Sequence, residues 1–198
     1  MDLYSPGRGN GGYLAFIGRI SPELDIAIKI ARGAGMPIKI AAKVDKADLD
    51  YYSDKIKLLL KGPGIEFIGE IGAREKGEFP GGAVALLFPI DWPEPFGLVM
   101  IKAMANGTPV IAFRRGSVPE IIDTGVTGFI VDSVDEAVAA VPRSIALDRR
   151  TIRHRFEGRF SAERMARDYV ERYRDVLRRS SVNAVVLSTR ATDRRAAA

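Results

Sequence analysis

"AVALLFPIDWPEPFGLVMIKAMANGTPVIAF", residues 83–113, reads as an apolar run, a proline-bounded loop, a stretch of helical period and a second apolar run. The runs AVALLFP (83–89) and PVIAF (109–113) are nearly continuous in apolar character rather than alternating. Strands covered on both faces in a parallel sheet have this composition. Between them, the helix-period segment ends on Asn106-Gly107, a stop signal. The unit is therefore strand, helix, strand. Four further short apolar runs repeat the pattern on either side: YLAFIG (13–18), PIKIAA (37–42), IEFIG (65–69) and GFIV (128–131).

The segments between the runs carry helix signals. SPELDIAIKIARGAG (21–35) places Ser21 as N-cap, Pro22 at the first helical position and a glycine stop. DLDYYSDKIKLLLKGPG (48–64) ends the same way. Further helices fit residues 73–79, 97–106, 117–122, 133–141, and two late ones near 148–158 and 161–179. Six strands alternating with helices predict an α/β fold: a single Rossmann-like, doubly wound parallel sheet of about six strands with right-handed crossovers.

At 198 residues the chain is long enough for one sizeable core, and 46% hydrophobic with 28% charged residues is ordinary globular composition. No stretch approaches the roughly 18 consecutive apolar residues of a membrane span, so no transmembrane segment is expected. The opening MDLYSPGRGNGG has no apolar core behind a basic start, and the chain has no cysteine, which excludes disulfides and thiolate metal sites. A cytoplasmic location is the resulting expectation.

The net charge of +5 is unevenly spread. Residues 1–142 hold 15 basic against 18 acidic side chains, and residues 143–198 hold 15 arginines against seven acids. Such a surplus suits anionic membrane or nucleic acid in principle. Here the acids sit at helical spacing among the arginines, as in Arg164, Asp168 and Arg172, which reads as a solvated, ion-paired helix face. No nucleic-acid partner is expected. The last long helix sets Met165, Ala166, Tyr169, Val170, Tyr173, Val176 and Leu177 on one stripe that needs a surface to lie against. Beyond it, SSVNAVVLSTRATDRRAAA lacks helical period, so residues 180–198 are expected to be a mostly disordered tail, with NAVVLS as an alternative edge strand. The division expected is a lead over 1–12, a domain over 13–179 and the tail.

In an open parallel sheet, ligands bind outside the carboxyl ends of the strands. That rule selects the loops holding Gly18-Arg19, residues 42–45 with Lys43, residues 69–72, Pro89 to Gly97, and Arg114 to Ser117. Arg19, Lys43, Arg114 and Arg115, with glycines and helix N-termini, suit a phosphorylated ligand. No Gly-x-Gly-x-x-Gly follows the first strand and no Walker loop occurs. In FPIDWPEPFGL, two prolines restrict the backbone around Glu94 at the mouth of a helix that starts near Phe96-Gly97. A fixed carboxylate beside free amides reads polyol hydroxyls and phosphate oxygens; the other reading of Glu94 is a helix cap.

With YLAFIGRISPE, FIGEIG, ALLFPIDWPEPFGLVMIKAMANGTPVIAFRRGSVPEII and GVTGFIV in place, residues 13–179 resemble the C-terminal, nucleotide-sugar donor-binding domain of retaining glycosyltransferases of GT-B architecture, the family 4 or group 1 type. The resemblance implies half of a GT-B fold. It implies that Glu94, which opens the family's Glu-x7-Glu motif, contacts donor-sugar hydroxyls, and that Phe96, Gly97 and Leu98 offer backbone groups around sugar and diphosphate. Arg19 matches the diphosphate-binding arginine, and the backbone around Ile71 faces the nucleotide base. It further implies a UDP-, GDP- or ADP-sugar donor, transfer with retention, no metal and no other cofactor.

Three departures bear on activity. Lys102 stands where the family's second Glu accepts from ribose hydroxyls; an ammonium has no acceptor, and losing a charged partner costs about 1.5–3 kcal/mol. In GRISPELDIAIKIA, Leu24 follows Glu23 where relatives read Pro-Glu-Lys-Gly, so the lysine that joins the arginine on the diphosphate is missing and Lys43 is the nearby substitute. Relatives also carry a preceding Rossmann-like domain that supplies acceptor site and catalytic groups, for which 198 residues leave no room. No catalytic residue is assigned. The sole histidine, His154, reads as a surface residue. The expectation is a donor-binding half, inactive or weak alone, completed by a separate N-terminal-domain chain or by a homo-oligomer. The alternative is a degenerate, non-catalytic interaction or oligomerisation module.

Overall fold

The structure is a computed structural model; it describes residue 4, residues 6–45, residue 49 and residues 52–196, with side chains left aside at 54, 73, 74, 76–78 and 180–196. Six strands, β1 (Leu14–Arg19), β2 (Ile38–Lys43), β3 (Ile65–Gly69), β4 (Ala85–Phe88), β5 (Val110–Phe113) and β6 (Gly128–Val131), form one parallel sheet in the order β3-β2-β1-β4-β5-β6. This is the doubly wound order expected from six alternating units.

The helices are α1 (Pro22–Gly33), a π-helical turn (Tyr52–Ile56) running into one α-helical turn (Lys57–Leu59) as α2, α3 (Ala73–Gly82), α4 (Leu98–Ala105), α5 (Val118–Ile121), α6 (Val134–Ile145), α7 (Arg149–Phe160) and α8 (Ala162–Ala196). Alternate strand residues divide between the two faces of the sheet. Leu14, Phe16, Ala85, Leu87, Ile111 and Phe113 pack with Leu24, Ile28 and Ala31 of α1 and Ala137, Ala140 and Val141 of α6. Ala15, Leu86, Val110 and Ala112, which alternate with them, are also buried, as are Met100 and Met104 of α4. Cover on both faces is the reason the strands are apolar without alternation.

Pro22 opens α1 as expected, but Ser21 at the N-cap position makes no capping hydrogen bond. Its hydroxyl instead turns back toward the Arg19 carbonyl at 3.5 Å. Ser133 does cap α6, accepting from the Glu136 amide at 3.2 Å while the Glu136 carboxylate accepts from the Asp132 amide at 2.9 Å.

The register decides what stands at the carboxyl edge. β1 pairs with β2 residue for residue from Leu14↔Ile38 to Arg19↔Lys43, so the two cations are lateral neighbours at the strand ends. β1 pairs with β4 only at Leu14↔Ala85 and Ala15↔Leu86. Past Ala15 the two strands have no ladder between them, and a crevice opens at the point where strand order reverses.

Residues 1–157 and 158–198 form two compact units. In the second, α8 sets Met165, Tyr169, Tyr173 and Val176 at helical spacing on one stripe, with the Tyr169 and Tyr173 rings 6.1 Å apart. Arg164 pairs with Asp168 at 3.4 Å and Arg178 with Asp175 at 2.6 Å, so part of the arginine surplus is ion-paired within the helix. The helical backbone runs to Ala196 and does not end near residue 179, so NAVVLS is helical and not an edge strand. From residue 162 onward the sequence contains no glycine or proline to stop it.

Candidate functional site: a cleft at the carboxyl ends of β1 to β4

The carboxyl ends of β1 to β4 and the start of α4 enclose a cleft of about 620 Å³. The eight residues that the family resemblance and its departures pointed to line it: Arg19, Lys43, Ile71, Glu94, Phe96, Gly97, Leu98 and Lys102. Each arrives from a different constraint. Arg19 and Lys43 come from adjacent strand ends in register, Ile71 from the loop after β3, Glu94 from the proline loop after β4, and Leu98 and Lys102 from α4.

The proline loop is fixed from two sides. The Glu94 amide donates to the Trp92 carbonyl at 2.8 Å, and the Glu94 carbonyl accepts from Ser117 at 2.9 Å, which ties the loop to the segment after β5. Gly116, at φ +49°, lets that segment approach so closely that an added Cβ would lie 2.3 Å from the Glu94 carbonyl oxygen. Gly97, at φ +72°, is the N-cap of α4 in the left-handed region, one residue later than the expected start.

The hydrogen bonds of Glu94 bear on its reading as a cap of the helix mouth. Its Oε1 accepts from the Gly97 amide at 2.9 Å and from the Phe96 amide at 3.3 Å. Those two amides, expected to face a ligand, are thus held by the protein itself. Leu98 and Val99 supply the remaining first-turn donors, since Met100 already donates to the Gly97 carbonyl at 3.0 Å. Bonded through one oxygen, the carboxylate keeps its second oxygen at the helix mouth.

The cationic side is organised by a residue that sequence reasoning passed over. Asp45 receives Lys43 at 3.0 Å on one carboxylate oxygen and Arg19 at 3.3 Å on the other. The Lys43 contact, above all, holds the Asp45 carboxyl below the usual carboxylate range. The same hydrogen bond pushes the Lys43 ammonium up, with the charge of Glu70 adding to it. Asp45 was within the loop chosen from the sequence, but only the β1/β2 register shows that one carboxylate reaches both cations.

Lys102 lines the cleft two-thirds of the way along α4, and among the described residues its ammonium makes no ion pair; only its carbonyl is engaged, accepting from Asn106 Nδ2 at 2.8 Å. Trp92, Phe16, Phe88 and Ile90 add apolar walls, and Ser21, Glu23 and Glu70 polar ones, none of them singled out beforehand. Trp92 was the legible one: a large aromatic in a proline-bounded polar loop, 47% exposed here, is poorly placed to fill a core.

Arg114 and Arg115 do not join the site. Arg114 pairs with Asp132 at 3.3 Å and Arg115 with Asp91 at 3.7 Å, and neither lines the cleft. His154 is on the surface, 4.0 Å from Glu157. Among the described residues no group of three or more His, Cys, Asp or Glu side chains is placed to hold a metal, and no helix is long and apolar enough to cross a membrane.

Known proteins share both sequence and fold with this chain. The D-inositol 3-phosphate glycosyltransferase of Corynebacterium kroppenstedtii is 38% identical over 95 residues, 43% of this chain and 21% of the relative. Among solved structures, sucrose-phosphate synthase of Thermosynechococcus elongatus superposes with a TM-score of 0.72 at 22% identity, covering 88% of this chain and 50% of that one. Anabaena Alr3699/HepE, solved in complex with UDP and glucose, gives 0.71 at 19% identity, covering 88% and 54%. The chain therefore spans about half the length of these structural relatives, and the likeness to them is one of fold. Residues 8–177 match the family profile described as glycosyl transferases group 1, and over so much of its length the chain belongs to the group 1 glycosyltransferase family.

Proposed function

We propose that this cleft binds the nucleotide-diphosphate sugar used by a retaining glycosyltransferase, and that these 198 residues bind donor but transfer sugar weakly or not at all by themselves. The observation that carries the reading is the convergence of Arg19, Lys43, Ile71, Glu94, Phe96, Gly97, Leu98 and Lys102 on one cleft at the sheet's switch point. The UDP and glucose bound to the Anabaena relative support the same ligand class.

In this reading Arg19 and Lys43 receive the diphosphate, with the Leu98 and Val99 amides at the positive end of α4 beside it. Charge that develops on the departing diphosphate then meets cations already in position, the arrangement that contributes most to electrostatic catalysis. The second oxygen of Glu94 accepts from sugar hydroxyls, while its first keeps the loop and helix mouth in one geometry. The base lies toward Ile71, whose side chain is buried and leaves its backbone to make the contact. The lining contains three carboxylates, Glu23, Glu70 and Glu94, and no histidine, and in this reading the acceptor is held by groups outside it. A second polypeptide segment, or another copy, would supply those groups.

Calorimetry with UDP, GDP and ADP tests the binding. One of them is expected to bind, and Arg19→Ala to weaken that affinity about tenfold to a hundredfold, the effect of losing charge-assisted contacts. Absence of binding by all three at millimolar concentration overturns the proposal. Lys102→Glu restores an acceptor where the family has one and is expected to tighten nucleotide binding by about tenfold. A tighter complex with the nucleoside diphosphate but not with inorganic pyrophosphate locates the gain at the ribose; equal or weaker nucleotide binding refutes that role for position 102.

A further inference from the structure

We propose that Asp45 tunes the affinity of the cleft as a resident anion: paired with both Arg19 and Lys43 from just outside the cleft lining, it competes with a ligand's diphosphate for the two cations. The inference rests on the donor-binding reading above and adds a residue which that reading does not use.

Three observations support it. First, one carboxylate spans both cations, with Oδ2 3.3 Å from Arg19 and Oδ1 3.0 Å from Lys43. An anion with oxygens on two sides is also what a diphosphate presents to a pair of cations. Second, the two cations do not need Asp45 to stay where they are. They are carried by laterally paired residues at the ends of β1 and β2, and their side chains are 66% and 54% exposed, open to a competing ligand. Third, Asp45 itself lies outside the cleft lining, two residues past the end of β2, so it can turn away without disturbing a strand.

Binding is then an exchange. The ligand's phosphate oxygens replace the Asp45 oxygens on Arg19 and Lys43, and the Asp45 carboxylate returns to water. No bond is made or broken. Because exposed ion pairs are individually weak, the exchange lowers affinity only modestly.

The test is binding of UDP and of inorganic pyrophosphate by the full chain and by Asp45→Asn, with Glu70→Gln as a charge control. Glu70 acts on Lys43 through its field and makes no ion pair with it. Asp45→Asn is expected to tighten both probes by about threefold to tenfold, with the gain shrinking as salt is raised, and Glu70→Gln by less than twofold. Circular dichroism checks that each variant is folded. Tighter pyrophosphate binding by Asp45→Asn without any preference for UDP sustains the role of Asp45 and, where GDP and ADP show no preference either, removes the nucleotide reading. Unchanged or weaker binding by Asp45→Asn, where the parent chain binds UDP, overturns the role of Asp45 and leaves the nucleotide reading intact. An equal gain from Glu70→Gln also overturns it, because the effect would then be one of net charge. Failure of every variant to bind pyrophosphate, UDP, GDP or ADP overturns both.

Discussion

Gly116→Ala is expected to lower folding stability by about 3 kcal/mol and donor affinity by at least tenfold, although residue 116 does not line the cleft. Its φ of +49° lies in the left-handed region, and an added Cβ would stand 2.3 Å from the Glu94 carbonyl oxygen and 2.6 Å from the Glu94 nitrogen. Those are backbone atoms, so no rotamer change relieves the overlap; either the proline loop or the segment after β5 must move. The Ser117 to Glu94 hydrogen bond is strained first, and the hold of Glu94 Oε1 on the Phe96 and Gly97 amides follows. For a domain of this size the stability loss corresponds to roughly 6–12 °C in Tm. Urea unfolding and calorimetry measure the two effects together. A variant with parental affinity and Tm would show that the proline loop is not held from behind by Gly116.

Arg149→Met is expected to cost about 3–5 kcal/mol, with no direct effect on the cleft. The guanidinium of Arg149 donates from Nε to the Gly7 carbonyl at 3.0 Å, from Nη1 to Ala83 at 3.1 Å, and from Nη2 to Gly81 at 3.0 Å and Thr108 Oγ1 at 2.6 Å. Burial pushes this guanidinium below its ordinary range, yet all its hydrogen-bonding capacity on this side is used. Methionine matches its stem and takes the guanidinium donor from the Gly7 and Ala83 carbonyls, while Gly81 keeps only the Gly9 amide. Lysine keeps the charge but is a single donor centre, so Arg149→Lys should recover only part of the loss. Chemical denaturation gives the size. Hydrogen exchange gives the place: the amides of Gly9 and Gly11, which donate to Gly81 and Gly82, should lose protection first. Uniform loss of protection, or a loss under 1 kcal/mol, would contradict this role.

These two residues mark the limits of what the sequence disclosed. The strands were legible because a doubly covered strand has to be apolar along its whole length, and runs such as PVIAF have no other common use. The cleft was legible because topology fixes where a parallel sheet binds its ligands, before any side chain is placed. Glu94, between two prolines at a helix mouth, had few conformations available. Arg149 had no such marker: it is one of 15 arginines between residues 143 and 198, and only the tertiary fold distinguishes the one that meets four acceptors. The glycines of the lead were equally silent. GRGNGG looks loose in isolation, yet Gly7 lies against Gly81 so closely that a Cβ there would be 2.1 Å from its carbonyl oxygen. The close approach needs glycine at position 7, and pairings separated by more than 70 residues have no local signature. Arg114 and Arg115 failed in the opposite direction. The carboxyl-end rule selects a loop but not the direction in which its side chains point, and theirs are taken by Asp132 and Asp91.

The pairing of β1 with β2 makes the sheet a caliper for charge. Arg19 and Lys43 are separated laterally by one strand spacing because Leu14 stands beside Ile38 at the far end of the same ladder, five residues below. A slip of one residue anywhere along that ladder would turn one of the two cations to the opposite face and split the pair. Buried residues such as Ile38 and Ile40 therefore fix the spacing of the two backbone positions that carry these charges, the spacing a diphosphate would meet under the donor-binding proposal. Drift in the core of this edge of the protein would be read at its surface as a change in which anions fit.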